Sequence, residues 1–145
     1  MKKKERIIMG DKTVIGTVLV PVEVTIEDIG YILAGCFEGG SNYWIDKVEV
    51  IPNAPESGNG WFGESHASDV PGAGGIIEIT TEPVSGTVNE GHHQGTQWFV
   101  TKNKMVDGLK LYYEKSNNKL AIEDMDVFHY DAVLQYAIFG VQVFA

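Results

Sequence analysis

At Thr25 the chain changes its hydrophobic pattern, and that change constrains the fold more than any other feature. Before it, TVIGTVLVPVEVT (13–25) is β-branched and apolar, the composition of a strand. Pro21 has no N–H to donate, which sends it to a sheet edge, a bulge or the strand end. After it, TIEDIGYILAGCFEGG (25–40) has helical period. Ile29, Ile32, Leu33, Cys36 and Phe37 recur at the spacing of one buried stripe. Thr25 and Asp28 resemble a capping box, and Glu27 and Asp28 suit the positive end of the helix dipole. Gly39 and Gly40 are the stop signal, with Ser41 and Asn42 placed to satisfy the freed backbone groups.

The rest of the chain continues the mixture. NYWIDKVEVI (42–51) alternates, but Tyr43, Ile45, Val48 and Val50 do not share one parity. That pattern asks for a bulge or for a strand buried on both faces. Residues 52–75 are dense in Gly, Pro, Ser and Asn and read as a long loop, a length usually tied to function or mobility. GIIEITTEPV (75–84) and QWFVT (97–101) read as a hairpin around a wide glycine-bearing connection. A helix follows over 102–118, with Thr101 as its cap, Met105, Val106, Leu109, Tyr112 and Tyr113 as its apolar face, and Asn117 and Asn118 as its end. Gly108 weakens that helix by about 1 kcal/mol relative to Ala. An acidic lead-in then opens a last helix, striped by Tyr130, Val133, Leu134, Ala137 and Ile138 and stopped by Gly140. VQVFA (141–145) reads as a short closing strand. The order has no βαβ alternation. It predicts a single α+β domain, 1–145, with about three helices packed on one face of a mostly antiparallel sheet.

Composition narrows the function classes. The 145 residues suffice for one hydrophobic core, and 43% hydrophobic with 21% charged is a globular balance. A formal net charge of −9 disfavours nonspecific nucleic-acid binding, which depends on phosphate attraction. No apolar run approaches the ~20 residues of a membrane span. The start, MKKKERIIMGDK, is basic without a following apolar signal region, so 1–12 reads as a solvated tail. One cysteine, Cys36, allows no internal disulfide and suits a reducing compartment.

Catalytic and metal motifs are weak. VPGAGG (70–75) lacks the Gly-Lys-Ser/Thr ending of a phosphate loop and leads into a strand. His92 and His93 are neighbours and point apart on an extended chain; His66 and His129 match no zinc spacing. No metal or cofactor is implied. Cys36 lies in the apolar stripe and is expected to be buried. The enzyme alternative would be a hydrolase using Glu38, His66, Asp69 or the carboxylates Glu123, Asp124 and Asp126. Those last three also sit where a helix start favours negative charge. The aromatic residues say more. Trp61 and Phe62 fall inside the long polar loop, where they either fold back or meet a partner. Tyr43 and Trp44 are consecutive, so on a strand one enters the core and the other faces out. Asn42, Tyr43, Trp44, Trp61, Phe62 and His66 therefore form the candidate ligand-binding set.

VTIEDIGYILAGCFEGGSNYW (24–44), ASDVPGAGGIIEI (67–79), MVDGLKLY (105–112) and DAVLQYAIFGVQVF (131–144) together resemble a family of small uncharacterised phage- and prophage-encoded proteins. The resemblance covers most of the chain. It implies an accessory gene product in a host bacterial cytoplasm, with no catalytic motif to carry over. Such a protein would bind a host protein or sequester a small nucleotide-type ligand, in a counter-defence role, and would form homo-oligomers. If it held a nucleotide, the aromatic rings would stack on the base and glycine-loop amides would hold the phosphates. A structural, self-assembling phage role is the third alternative.

Overall fold

Thr25 starts the first helix as its sequence predicts. Its Oγ1 accepts from the Asp28 N–H at 3.1 Å, and the Thr25 N–H donates to the Asp28 carboxylate at 2.9 Å, so the capping box is closed. The computed structural model describes residues 12–18, 20–52, 66–84, 96–117 and 119–144. The expectations for Trp61, Phe62, His92, His93 and the tail before Lys12 lie outside them.

Helix α1 (Ile26–Gly35) buries Ile29, Ile32 and Leu33 and runs into a π turn, Cys36–Gly40. The sequence assigned the left-handed stop to both glycines. Only Gly39 has a positive φ, 159°. Gly40 is required for a different reason: a Cβ there would lie 3.0 Å from the Gly35 carbonyl and 3.1 Å from that of Val127. It is a point of close chain approach.

Strands β1 (Ile45–Val50), β2 (Ile77–Thr81) and β3 (Gln97–Val100) form an antiparallel sheet in that order. The mixed parity of β1 has its cause in a register shift between Ile45 and Lys47. After that irregularity Val48 and Val50 stand opposite Ile79 and Ile77, which stand opposite Trp98 and Val100. Facing residues share a side, so these six make one apolar face. The indole of Trp98 donates to the Thr81 hydroxyl at 3.1 Å, which keeps its N–H satisfied in the core.

Helix α2 (Lys102–Ser116) starts on Thr101, whose side chain accepts from the Lys104 N–H, and ends at Asn117 in the left-handed conformation, φ 58°. Helix α3 (Val127–Phe139) starts on Asp126, whose side chain accepts from the N–H groups of Phe128 and His129. Asp126 thus serves as a cap, and Glu123 and Asp124 stay exposed before it. Helix α3 is the centre of the domain. It packs on α1, α2, β3 and the π turn. Asp131–Gln135 and Ala137–Phe139 are all buried, a wider surface than the predicted stripe. It meets α2 where Gly108 faces Ala137: a Cβ on Gly108 would fall 2.7 Å from the Ala137 Cα. The chain is a single α+β domain, and its described residues form three α-helices and a three-stranded antiparallel sheet.

Two expected strands are not formed. Residues 13–25, where described, pair with no sheet strand, and Val14, Ile15, Val18, Val20 and Val22 remain exposed. Strand propensity measures fit to a pleated, paired surface, and among the described residues this segment takes up none. The closing segment is not a strand either. The side-chain amide of Gln135 takes its backbone groups instead. Its Oε1 accepts from the N–H of Val143 at 2.8 Å and of Phe144 at 2.7 Å, and its Nε2 donates to the Phe144 carbonyl at 3.1 Å.

Candidate functional site

The residues that gave the sequence its distinctive look converge on one carboxylate. Asp131 lies on α3 and is 5% exposed. Its Oδ1 accepts from Ser41 Oγ at 2.6 Å and from Trp44 Nε1 at 2.7 Å. Its Oδ2 accepts from Tyr43 OH at 2.6 Å and from Gln135 Nε2 at 3.2 Å. A carboxylate has about four lone-pair sites, and here four donors fill them. No lysine or arginine among the described residues pairs with Asp131, so its buried charge is held by charge-assisted hydrogen bonds. The Ser-Asn-Tyr-Trp turn supplies three of the donors and the i+4 residue of α3 supplies the fourth. Through Gln135 the same cluster reaches the C-terminal segment.

The environment shifts two neighbouring groups. Burial pushes the Cys36 thiol up to about 12; the Ser41 hydrogen bond acts against this, and the Asp131 charge adds to it. Such a thiol is inert at neutral pH. Burial, then the hydrogen bond to Asp131, pushes Tyr43 up to about 12. Tyr43 therefore stays a neutral donor. The cluster can orient and hold, but a saturated acceptor has no lone pair left for abstracting a substrate proton.

The predicted set separates on the structure. Trp44 is 4% exposed, stacks on Phe144 at 5.3 Å and packs against Phe139 at 5.4 Å. Its ring faces are occupied, which corrects its place as a stacking platform: it is a core anchor. Tyr43 is 55% exposed, as expected of one member of the pair, with its ring edge-on to Phe144. Asn42 is exposed beside it. His66 is exposed at the start of a short 3-10 turn, Ala67–Asp69, that packs on α1. No hydrogen bond or ring contact joins it to Tyr43. Trp61 and Phe62 lie outside the described residues. Ser41, Asp131 and Gln135 were missed. The available signal was a pair of polar residues four apart on an otherwise apolar helix.

The surface presents its apolar groups elsewhere. From Lys12 to Val24 every second described residue from Val14 onward, save Gly16, is valine. Val14, Val18, Val20 and Val22, with Ile15, are 48–98% exposed. Val24, at the inner end, packs against the core. This arm forms one wall of a cleft of about 1260 Å³ whose other wall includes Val106, Leu109 and Tyr113 of α2. A run of exposed β-branched residues beside an apolar cleft is the usual mark of an interaction site.

Family models give no match to the chain, and neither curated proteins nor solved structures give one. Among the described residues no helix is long and apolar enough to cross a membrane, and no three His, Cys, Asp or Glu side chains group as metal ligands.

Proposed function

We propose that this chain is a binding protein that works through protein–protein contact, in the phage-accessory setting its sequence resemblance implies. One observation carries the reading: the valine arm and the cleft beside it are apolar and open to solvent. Exposing these side chains costs free energy in water, and a partner surface removes that cost. The Asp131 cluster adds support, because the best-placed carboxylate is committed to holding the fold. A host protein fits better than a nucleotide, since Trp44 is enclosed and Tyr43 offers a single partly exposed ring.

The test compares the wild-type protein with a Val18→Asp/Val20→Asp variant in affinity capture from bacterial lysate, alongside thermal shift against cyclic and linear nucleotides. The expected result is a defined protein retained by the wild type and lost by the variant. A nucleotide-induced shift, with no arm-dependent retained protein, would overturn the reading in favour of ligand sequestration.

A further inference from the structure

The arm has the pattern of a strand, and among the described residues it pairs with none. Val14, Val18, Val20, Val22 and Val24 share one parity, with Gly16 among them, so a β conformation would gather them on one face. The charges at its two ends are opposite. The first twelve residues carry Lys2, Lys3, Lys4, Arg6 and Lys12 against Glu5 and Asp11, a net +3; of the chain's −9, the remainder then carries −12. At the far end stand Glu23 and Glu27, both exposed. A strand that is basic at one end, valine-rich in the middle and acidic at the other is complementary to itself when reversed. The antiparallel arrangement sets Lys12 of each copy near Glu23 of the other and the valines against valines.

We propose that residues 14–22 pair with the same segment of a second copy of this chain in a two-fold antiparallel β-ribbon centred on Val18. The proposal rests on the reading of the arm as a protein-contact surface and puts a second copy of the chain, in place of a host protein, on that surface. Pro21 selects the edge. It has no N–H, so it belongs to the odd-numbered residues whose backbone groups face away from the partner, and the even-numbered residues make the ladder. Centring on Val18 then sets Val14 opposite Val22 and Gly16 opposite Val20, all on the valine face. An isolated two-stranded ribbon is marginal in water. Here the cleft supplies a cover: Val106, Leu109 and Tyr113 of α2 line it opposite the arm. Each copy carries a net −9, so whole copies repel at long range and salt weakens that repulsion; the pairing of basic with acidic ends acts locally, once the arms align.

The experiment uses the full chain. Light scattering at physiological ionic strength is expected to give twice the chain mass of 15.9 kDa, and a Val18→Asp/Val20→Asp variant is expected to give the single-chain mass with unchanged thermal unfolding. Register is read by cysteine cross-linking, which the buried Cys36 does not disturb. A hydrogen-bonded antiparallel pair places Cα atoms about 5.5 Å apart, within disulfide reach. Val18→Cys is expected to cross-link to itself under mild oxidation. Val14→Cys is expected to cross-link to Val22→Cys when the two are mixed, and Ile15→Cys to cross-link poorly. A wild-type monomer at all concentrations, or a dimer that survives Val18→Asp/Val20→Asp, overturns the ribbon. A monomer that still retains a lysate protein through the same valines overturns only the ribbon and leaves the binding reading standing.

Discussion

The indole of Trp44 donates to the carboxylate of Asp131 at 2.7 Å, across 87 residues of sequence. Ser41 and Tyr43 donate to the same group, so one side chain of α3 fixes the turn that follows α1. Replacing Asp131 by Ala leaves buried donors without an acceptor, and each such group costs about 1–3 kcal/mol. The loss is expected to reach about 3–5 kcal/mol, the scale of breaking a buried charged contact. Urea unfolding followed by tryptophan fluorescence checks it. Asp131→Asn, which keeps one acceptor, is expected to lose less. A cost within experimental error for Asp131→Ala would show that the cluster does not hold the fold.

Gly108 and Ala137 make the second test, because the expected sign is opposite to helix propensity. Gly→Ala in an exposed helix interior stabilises by about 1 kcal/mol. Here the added Cβ would lie 2.6 Å from the Ala137 Cβ, 2.7 Å from its Cα and 2.8 Å from its N. The two helices must separate, and overpacking of this kind costs about 1–3 kcal/mol. Gly108→Ala is therefore expected to lower the unfolding midpoint. Adding Ala137→Gly is not expected to restore it, since two of the three close contacts are backbone. A stabilised Gly108→Ala variant would refute this account of the crossing.

Particular residues show where the sequence was legible. The α1 stripe and its capping box appear as read, because both rest on local spacing. The broken parity of β1 predicted an irregularity, and the register shift lies between Ile45 and Lys47. Gly108 was read as a local weakness. Its reason is the partner helix, and no local pattern contains a partner. The closing segment has strand composition, yet Gln135 takes the bonds a neighbouring strand would have taken. The arm failed the same way in reverse: its composition is right for a strand, and its partner is not within the described chain. For the candidate site, Tyr43 and Trp44 do divide into an exposed and a buried ring, but they do so in a turn before β1 and not by strand alternation. The carboxylate that separates their roles lies on another element and was invisible to spacing.

Cys36 gives a kinetic readout of stability. Its thiol is buried and pushed up to about 12, from an ordinary 9.0. The thiolate is the reacting species, so at pH 8 the native thiol is expected to react with an aromatic disulfide at least about a thousandfold more slowly than the unfolded chain. Reactivity should rise with urea in step with the loss of tryptophan signal. Rapid labelling of the folded protein would contradict the burial of this face of α1.

Tyr43 sets a pH dependence whose sign follows from its shift. Its phenol is pushed up to about 12 from an ordinary 10.0 by burial and by its bond to Asp131. Below pH 10 both folded and unfolded chains keep the proton, and the contribution is whole. As pH rises from 10 to 12 the unfolded chain ionises while the folded one does not, so stability is lost across that window. Cys36 acts in the same direction from pH 9 upward, and Tyr113 and Tyr130 are also raised. Unfolding free energy measured at intervals from pH 8 to 12 is expected to fall from about pH 9 upward, more steeply above 10. Tyr43→Phe removes one ionisation and should make the fall shallower between 10 and 12, while absorbance at 295 nm loses a component that titrates near 12. An unchanged slope with an unchanged absorbance titration would mean that Tyr43 ionises as a free phenol, and that its proton is not held by Asp131.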